Sequence, residues 1–161
     1  MRRVVRVAAA GAWPQAAAVA TVTLAYDDRC RRRLAMADDT GMPFLLDLPH
    51  VTRLRDGDGL VLDADEGIIA VRAAAEPVID VHGADAAATA RLAWHLGNRH
   101  AAIEVLADGC LRIRADTVLG AMAEGLGARI ERRSAAFEPE AGAYAHGASP
   151  VLPHGHAGVD G

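Results

Sequence analysis

No lysine occurs in this chain of 161 residues: every basic side chain other than histidine is arginine. That absence reads first as the codon bias of a GC-rich genome and only second as chemistry. Aromatic residues make up 4% of the sequence, so the core rests on Val, Leu, Ile and Ala, with short distances between elements. Only two cysteines are present, Cys30 and Cys110, far apart and neither in a Cys-x-x-Cys pair. This excludes a zinc ribbon and a thioredoxin-like site, makes a disulfide framework improbable and fits a reducing compartment. No apolar run approaches the roughly 20 residues of a membrane-spanning helix. At the start, Arg6 interrupts Val4-Val5 and Val7, and Gly11 and Pro14 break the next run, so a signal peptide is not expected. The reading is a cytoplasmic protein with no membrane partner. A net charge of −4 gives no strongly basic face, and nucleic acid is not an expected partner.

What is present begins with β character over residues 1–76. Val19–Tyr26 is rich in β-branched residues, Asp27-Asp28-Arg29 turns the chain, and Arg31–Met36 resumes it. Phe44–Leu48, Leu60–Leu62 and Ile68–Ala73 are further short strands separated by Asp-Gly turns. Such spacing predicts a small all-β domain of sandwich or barrel type. The pattern changes near Glu76-Pro77. Val78–Val81 predicts a strand, and Asp85 caps a helix running to about Leu96 with Ala88, Leu92 and Leu96 on one face. Gly97-Asn98 supplies left-handed C-cap chemistry. His100 leads into a strand at 102–106, Asp108-Gly109 turns into Leu111–Arg114, and Asp116 caps a second helix with Val118, Leu119, Met122 and Leu126 as its stripe. A last strand covers Arg129–Arg132. The order β-α-β-β-α-β predicts a ferredoxin-like domain over 77–137. From about Phe137 periodicity vanishes, and residues 138–161 are expected to be a flexible tail. The fold class is therefore α+β, an all-β domain followed by a ferredoxin-like domain and a histidine-containing tail.

The histidines carry the chemistry. His95 and His100 bracket Gly97-Asn98, and His146, His154 and His156 lie in the tail. Neutral imidazole is a common ligand for Ni, Zn and Cu. One fixed histidine plus several on a loose arm suits an ion that is held and then released, which points to a metal carrier rather than an enzyme. Gly-x-Ser-x-Gly, His-Glu-x-x-His and phosphate-loop motifs are all lacking. Asp56-Gly57-Asp58-Gly59 fails the calcium-loop pattern and reads as a turn. Cys30 and Cys110 read as incidental thiols, His50 and His82 as surface or turn residues, and Glu138 and Glu140 as carboxylates with nothing to fix their geometry. Arg29–Arg33 reads as a solvated edge strand.

The segments His95-Leu96-Gly97-Asn98-Arg99-His100, Ile103-Glu104-Val105, Phe137–Tyr144 and Leu54–Asp58 together resemble the urease accessory metallochaperone UreE family. The resemblance runs in order over nearly the whole chain. It implies a peptide-binding type of N-terminal domain, a ferredoxin-like metal domain and a homodimer joined through the latter. It further implies delivery of Ni²⁺ to apo-urease with the family's GTPase partner. His100 takes the role of the nickel ligand at the dimer axis, and His146 that of a ligand beyond the Glu-Ala-Gly-Ala-Tyr segment. The chain departs from some members in two ways. Arg114-Ala115-Asp116-Thr117 replaces an extra histidine pair, and His154 and His156 replace a polyhistidine run, so low capacity is implied. Zn²⁺ or Cu²⁺ could compete. A general Ni/Zn storage protein and a metal-free ferredoxin-like interaction module are the alternatives.

Overall fold

The computed structural model describes residues 1–142. Two sheets follow one another along the chain. Strands β1 (Arg2–Ala8), β2 (Ala18–Leu24), β3 (Cys30–Ala37), β4 (Pro43–Arg53), β5 (Gly59–Leu62) and β6 (Ile68–Ala73) form a six-stranded sheet in the order β2-β6-β5-β1-β4-β3. The pairs β1–β4 and β2–β6 are parallel and the other neighbours antiparallel. Alternation places one face inside: Phe44, Leu46 and Leu48 of β4 are buried, whereas Leu45 and Asp47 are only half-buried. With Val4, Val22, Leu54, Leu60, Leu62, Ile69 and Val71 they close the first core of this half-barrel.

β1 belongs to the centre of this sheet although its sequence gave no strand signal of its own. Arg3 and Arg6 are exposed, Arg3 reaching Asp47 at 2.6 Å, while half-buried Arg2 pairs with buried Asp38 at 2.7 Å and Val4 is fully buried. The charges that break the apolar run are those of a half-exposed strand.

The second sheet contains β7 (Glu76–His82), β8 (Glu104–Val105), β9 (Leu111–Arg114) and β10 (Arg129–Ala135) in the order β10-β7-β9-β8, all antiparallel. Two helices, α1 (Ala86–Gly97) and α2 (Thr117–Gly125), complete the βαββαβ order. This is the ferredoxin-like arrangement. Asp85 and Asp116 cap the two helices, accepting from the Ala88 and Leu119 amides at 2.7 and 2.9 Å. Leu92 and Leu96 of α1 pack on Ile79, Val81, Leu111 and Ile113.

The apolar stripe expected on α2 is met in part: Leu119 and Met122 are half-buried against the second core. Val118 and Leu126 are 75% and 46% exposed, and the residues buried against the sheet are Gly120 and Ala123. A Cβ at Gly120 would stand 3.2 Å from Ile79 Cδ1, so the helix backbone lies close on the strand and small residues occupy the contact. Strand β8 is also shorter than 102–106, because the turn at His100 consumes the preceding residues and the Ile103 carbonyl accepts instead from Glu140 N.

Asp80, 3% exposed on β7, receives Arg112 Nε and Nη2 at 2.6 and 2.9 Å. These hydrogen bonds hold the Asp80 carboxyl below its ordinary value. A depressed folded-state pKa stabilises the fold above the unfolded value near 4, and that stability is lost as pH falls through the lower folded value. Asp80→Asn leaves Arg112 without its counter-charge and is expected to cost about 3 kcal/mol at pH 7. Urea denaturation should show that gap narrowing below about pH 4.

Candidate metal centre

His100 sits in the turn that ends α1. The His100 amide donates to the Gly97 carbonyl at 2.9 Å, and the Ala101 amide to the Leu96 carbonyl at 3.2 Å. This pair of bonds is the Schellman closure, and it requires a left-handed residue between them. That residue is His100 itself, at φ 56°. The expectation that Gly97-Asn98 would take the left-handed position is corrected: Gly97 is helical, and Asn98 has φ −64° and ψ −16°. His100 therefore belongs to the turn rather than to a following strand. Only Ala64 shares its positive φ among the described non-glycine residues. A β-carbon in this conformation costs on the order of 1–2 kcal/mol. The turn aims an exposed imidazole outward from a rigid helix end anchored by buried Leu96.

A cleft of about 430 Å³ opens beside His100, lined also by Glu76, Pro77, Arg114, Asp116 and Leu119. Its carboxylates already serve the fold. Asp116 caps α2, and Glu76 accepts the Tyr26 amide at 2.7 Å. Arg114 reaches Asp27 at 2.8 Å and lies over the Tyr26 ring. Among the described residues no group of three or more His, Cys, Asp or Glu side chains is placed to hold a metal ion. Among the described residues, His100 is the one imidazole lining the cleft. His95, half-buried, stands edge-on to Trp94 at 4.9 Å and packs rather than joining it. His146, His154 and His156 lie outside the described residues.

The stretch after β10 departs from the expected structureless tail as far as Gly142. Phe137 is fully buried and meets the Tyr26 ring edge-on at 5.2 Å. Arg29, 1% exposed, donates to the Phe137 carbonyl and pairs with Glu138. Glu138 also accepts the Asp56 amide at 3.1 Å, and its own amide donates to Glu104 at 3.0 Å. Arg29 is thus no solvated edge residue, and Glu138 and Glu140 are fixed. Their sequence context, Gly- and Pro-rich with no period, carries no signal of this, because the partners lie from 34 to 109 positions away. The strap ends with Glu140 N on the Ile103 carbonyl at 2.7 Å. Ile103 is three residues from His100, a chain span of at most about 10 Å.

His82 and Cys110 were also unforeseen as a pair. Val81 pairs with Leu111 in the β7–β9 ladder, and the next residues outward, His82 and Cys110, meet with Nδ1 and Sγ 2.8 Å apart.

The fold and this site define an α+β protein that presents one imidazole on a braced turn and routes its C-terminal strap past it. Comparison with known proteins supplies the rest. The profile of the UreE urease accessory protein N-terminal domain matches residues 2–74, and that of its C-terminal domain matches residues 76–159. A urease accessory protein UreE of Rhodopseudomonas palustris (strain BisB18) is 51% identical over 91% of this chain and 67% of its own length. Proteins of the same description are 50% identical in Bradyrhizobium sp. (strain ORS 278), over 96% and 71%, and 52% identical in Burkholderia thailandensis (strain ATCC 700388), over 84% and 61%. The chain belongs to the UreE urease accessory protein family, a family of urease-maturation chaperones rather than of enzymes. No helix among the described residues is long and apolar enough to cross a membrane.

The strain at position 100 gives a direct test of the turn. His100→Gly should be at least as stable as the wild type and about 1 kcal/mol more stable than His100→Ala, which keeps a β-carbon at positive φ. Urea denaturation of the three proteins reads this difference.

Proposed function

We propose that this protein is a nickel metallochaperone that delivers Ni²⁺ to apo-urease in the cytoplasm, with His100 from two protomers forming the central site. The observation that carries the reading is the strained, exposed position of His100, with no group of three or more potential ligands assembled around it among the described residues. Residues kept in unfavourable backbone conformations cluster at functional sites. A two-fold axis doubles the ligand count without further sequence, because the same residue arrives from each subunit. The remaining positions are filled by His146, His154 and His156. From Glu140, anchored at Ile103, six residues lead to His146 and span at most about 20 Å. That reach covers the neighbourhood of His100.

The division of labour follows from entropy. Ordering a tail residue costs about 1–2 kcal/mol, so tail ligands bind weakly and exchange readily. The two His100 rings retain the ion while an acceptor replaces the tail ligands one at a time. Imidazole ligands admit Zn²⁺ and Cu²⁺ as well, and the Irving–Williams order favours Cu²⁺ over Ni²⁺, so selectivity comes from geometry, partners or supply. Residues 1–76 serve as the partner-binding part, 77–137 as the metal-binding and dimerising part, and 138–161 as the part that supplies exchangeable ligands. The partners are a second copy, the urease apoprotein and its accessory proteins, including the GTPase.

Calorimetric titration with Ni²⁺ tests the scheme. One ion per dimer is expected, and affinity should fall from pH 7 to pH 5 because histidine must be unprotonated to bind. His100→Gly should abolish the tight site without changing the dimer. Truncation after Tyr144 should weaken binding without removing it. Equal losses from the two changes would refute the split between fixed and exchangeable ligands.

A further inference from the structure

We propose that His82 and Cys110 form a second metal site, a two-coordinate sulfur–nitrogen site that takes Cu(I). The two residues come from neighbouring strands and are held by the sheet rather than by a loop. His82 closes β7, whose Val81 is paired with Leu111, and Cys110 immediately precedes β9. The Cys110 backbone is braced by the hairpin. Its amide donates to Asp108 Oδ1 at 3.0 Å and its carbonyl accepts the Leu106 amide at 2.8 Å. Gly109, at φ 84°, makes that tight turn. Sγ and Nδ1 thus face each other at 2.8 Å in a half-buried position.

The far side of the imidazole is the second observation. His82 Nε2 is buried and has no hydrogen-bond partner among the described residues. Glu131 Oε2 lies 3.9 Å from it, on the adjacent strand β10. Metal-bound histidines characteristically direct their other ring N–H toward a carboxylate, which fixes the tautomer. A metal on Nδ1 requires the tautomer that carries its proton on Nε2, on the side where Glu131 lies. Burial first, and the Asp108 side chain next, push the Cys110 thiol above its ordinary value. The resting pair is therefore a thiol hydrogen-bonded to an imidazole and not an activated thiolate nucleophile.

Ligand number and softness select the ion. Thiolate favours Cu(I) and Zn²⁺. Zn²⁺ in structural sites wants four ligands, and no third His, Cys, Asp or Glu completes such a set among the described residues. A d¹⁰ monovalent cation is satisfied by two ligands in line. Bonds of about 2.0 Å to nitrogen and about 2.3 Å to sulfur, the lengths known for zinc, put the donors about 4 Å apart. The contact of 2.8 Å must widen for the ion to enter, and Cys110 lies just outside the β7–β9 ladder. Binding replaces the thiol proton: Cu(I) bonds to Sγ and Nδ1, and one proton leaves to solvent. The site lies apart from His100 and would withdraw Cu(I) from competition with nickel there.

The test is anaerobic titration of the full reduced chain with Cu(I) supplied as its bicinchoninate complex, with Ag(I) as a redox-inert probe. Cys110→Ser and His82→Gln should each weaken Cu(I) binding at least tenfold, while Cys30→Ser and His100→Gly should not. Ni²⁺ titration of Cys110→Ser should match the wild type. Should a variant fold poorly, alkylation of the wild type keeps the test open. One equivalent of Ag(I) should protect Cys110 from iodoacetamide and leave Cys30 reactive, as read by peptide mass. Equal protection of both thiols, or Cu(I) affinity unchanged by Cys110→Ser, would overturn the proposal.

Discussion

Two backbone hydrogen bonds at the end of α1, from His100 to Gly97 and from Ala101 to Leu96, set the geometry on which the proposed metal centre rests. They close the helix in a way that demands a left-handed residue, and the residue supplied is a histidine. The imidazole is thereby fixed to a helix whose Leu92 and Leu96 are locked into the second core. An imidazole on an ordinary loop would have to be ordered at each binding event. Here the backbone cost has been met in folding, so binding free energy is not spent on placing the ligand.

The same economy appears where the two sheets meet. Arg29 is buried without a lysine-like option for a flexible charge, and its planar guanidinium serves the Phe137 carbonyl, the Glu138 carboxylate and the Leu54 carbonyl together. Tyr26 packs against Phe137 and lies under Arg29, Arg53 and Arg114. Two of the few aromatic residues, Tyr26 and Phe137, meet at this junction, and Trp13 seals the Gly57–Gly59 turn through its Nε1–H to the Gly57 carbonyl at 3.1 Å. From this junction the C-terminal segment runs to the Ile103 carbonyl, which accepts Glu140 N three residues from His100.

Strands and helices with a clear period were legible: Phe44–Leu48, Ile68–Ala73, Val78–Val81 and the Asp85-capped helix all lie within observed elements. Failures came where a local signal met a tertiary constraint. Gly97-Asn98 carries better left-handed chemistry than His100, yet Leu96 must stay buried, and continuing the helix through Asn98 moves the left-handed step to His100. Val118 and Leu126 are apolar yet exposed, because α2 lies close on the sheet through Gly120 and Ala123 with Leu119 and Met122 beside them. Phe137 and Glu138 sit in a Pro- and Gly-bearing stretch with no repeat, and only Arg29, more than a hundred residues earlier, gives them a place.

By itself the sequence determined the order of elements, the turns and caps, and the presence of a histidine just beyond the first helix of a βαββαβ unit. Those features are local, and short-range periodicity and side-chain–backbone chemistry decide them. Only the tertiary structure decided which residue bears the left-handed strain, which face of α2 is buried, that residues 137–142 are stapled between sheets, and that His82 meets Cys110. Each of these depends on strand register or on close packing between segments distant in sequence. A one-residue change of register between β7 and β9 would separate His82 from Cys110 without altering a single local pattern.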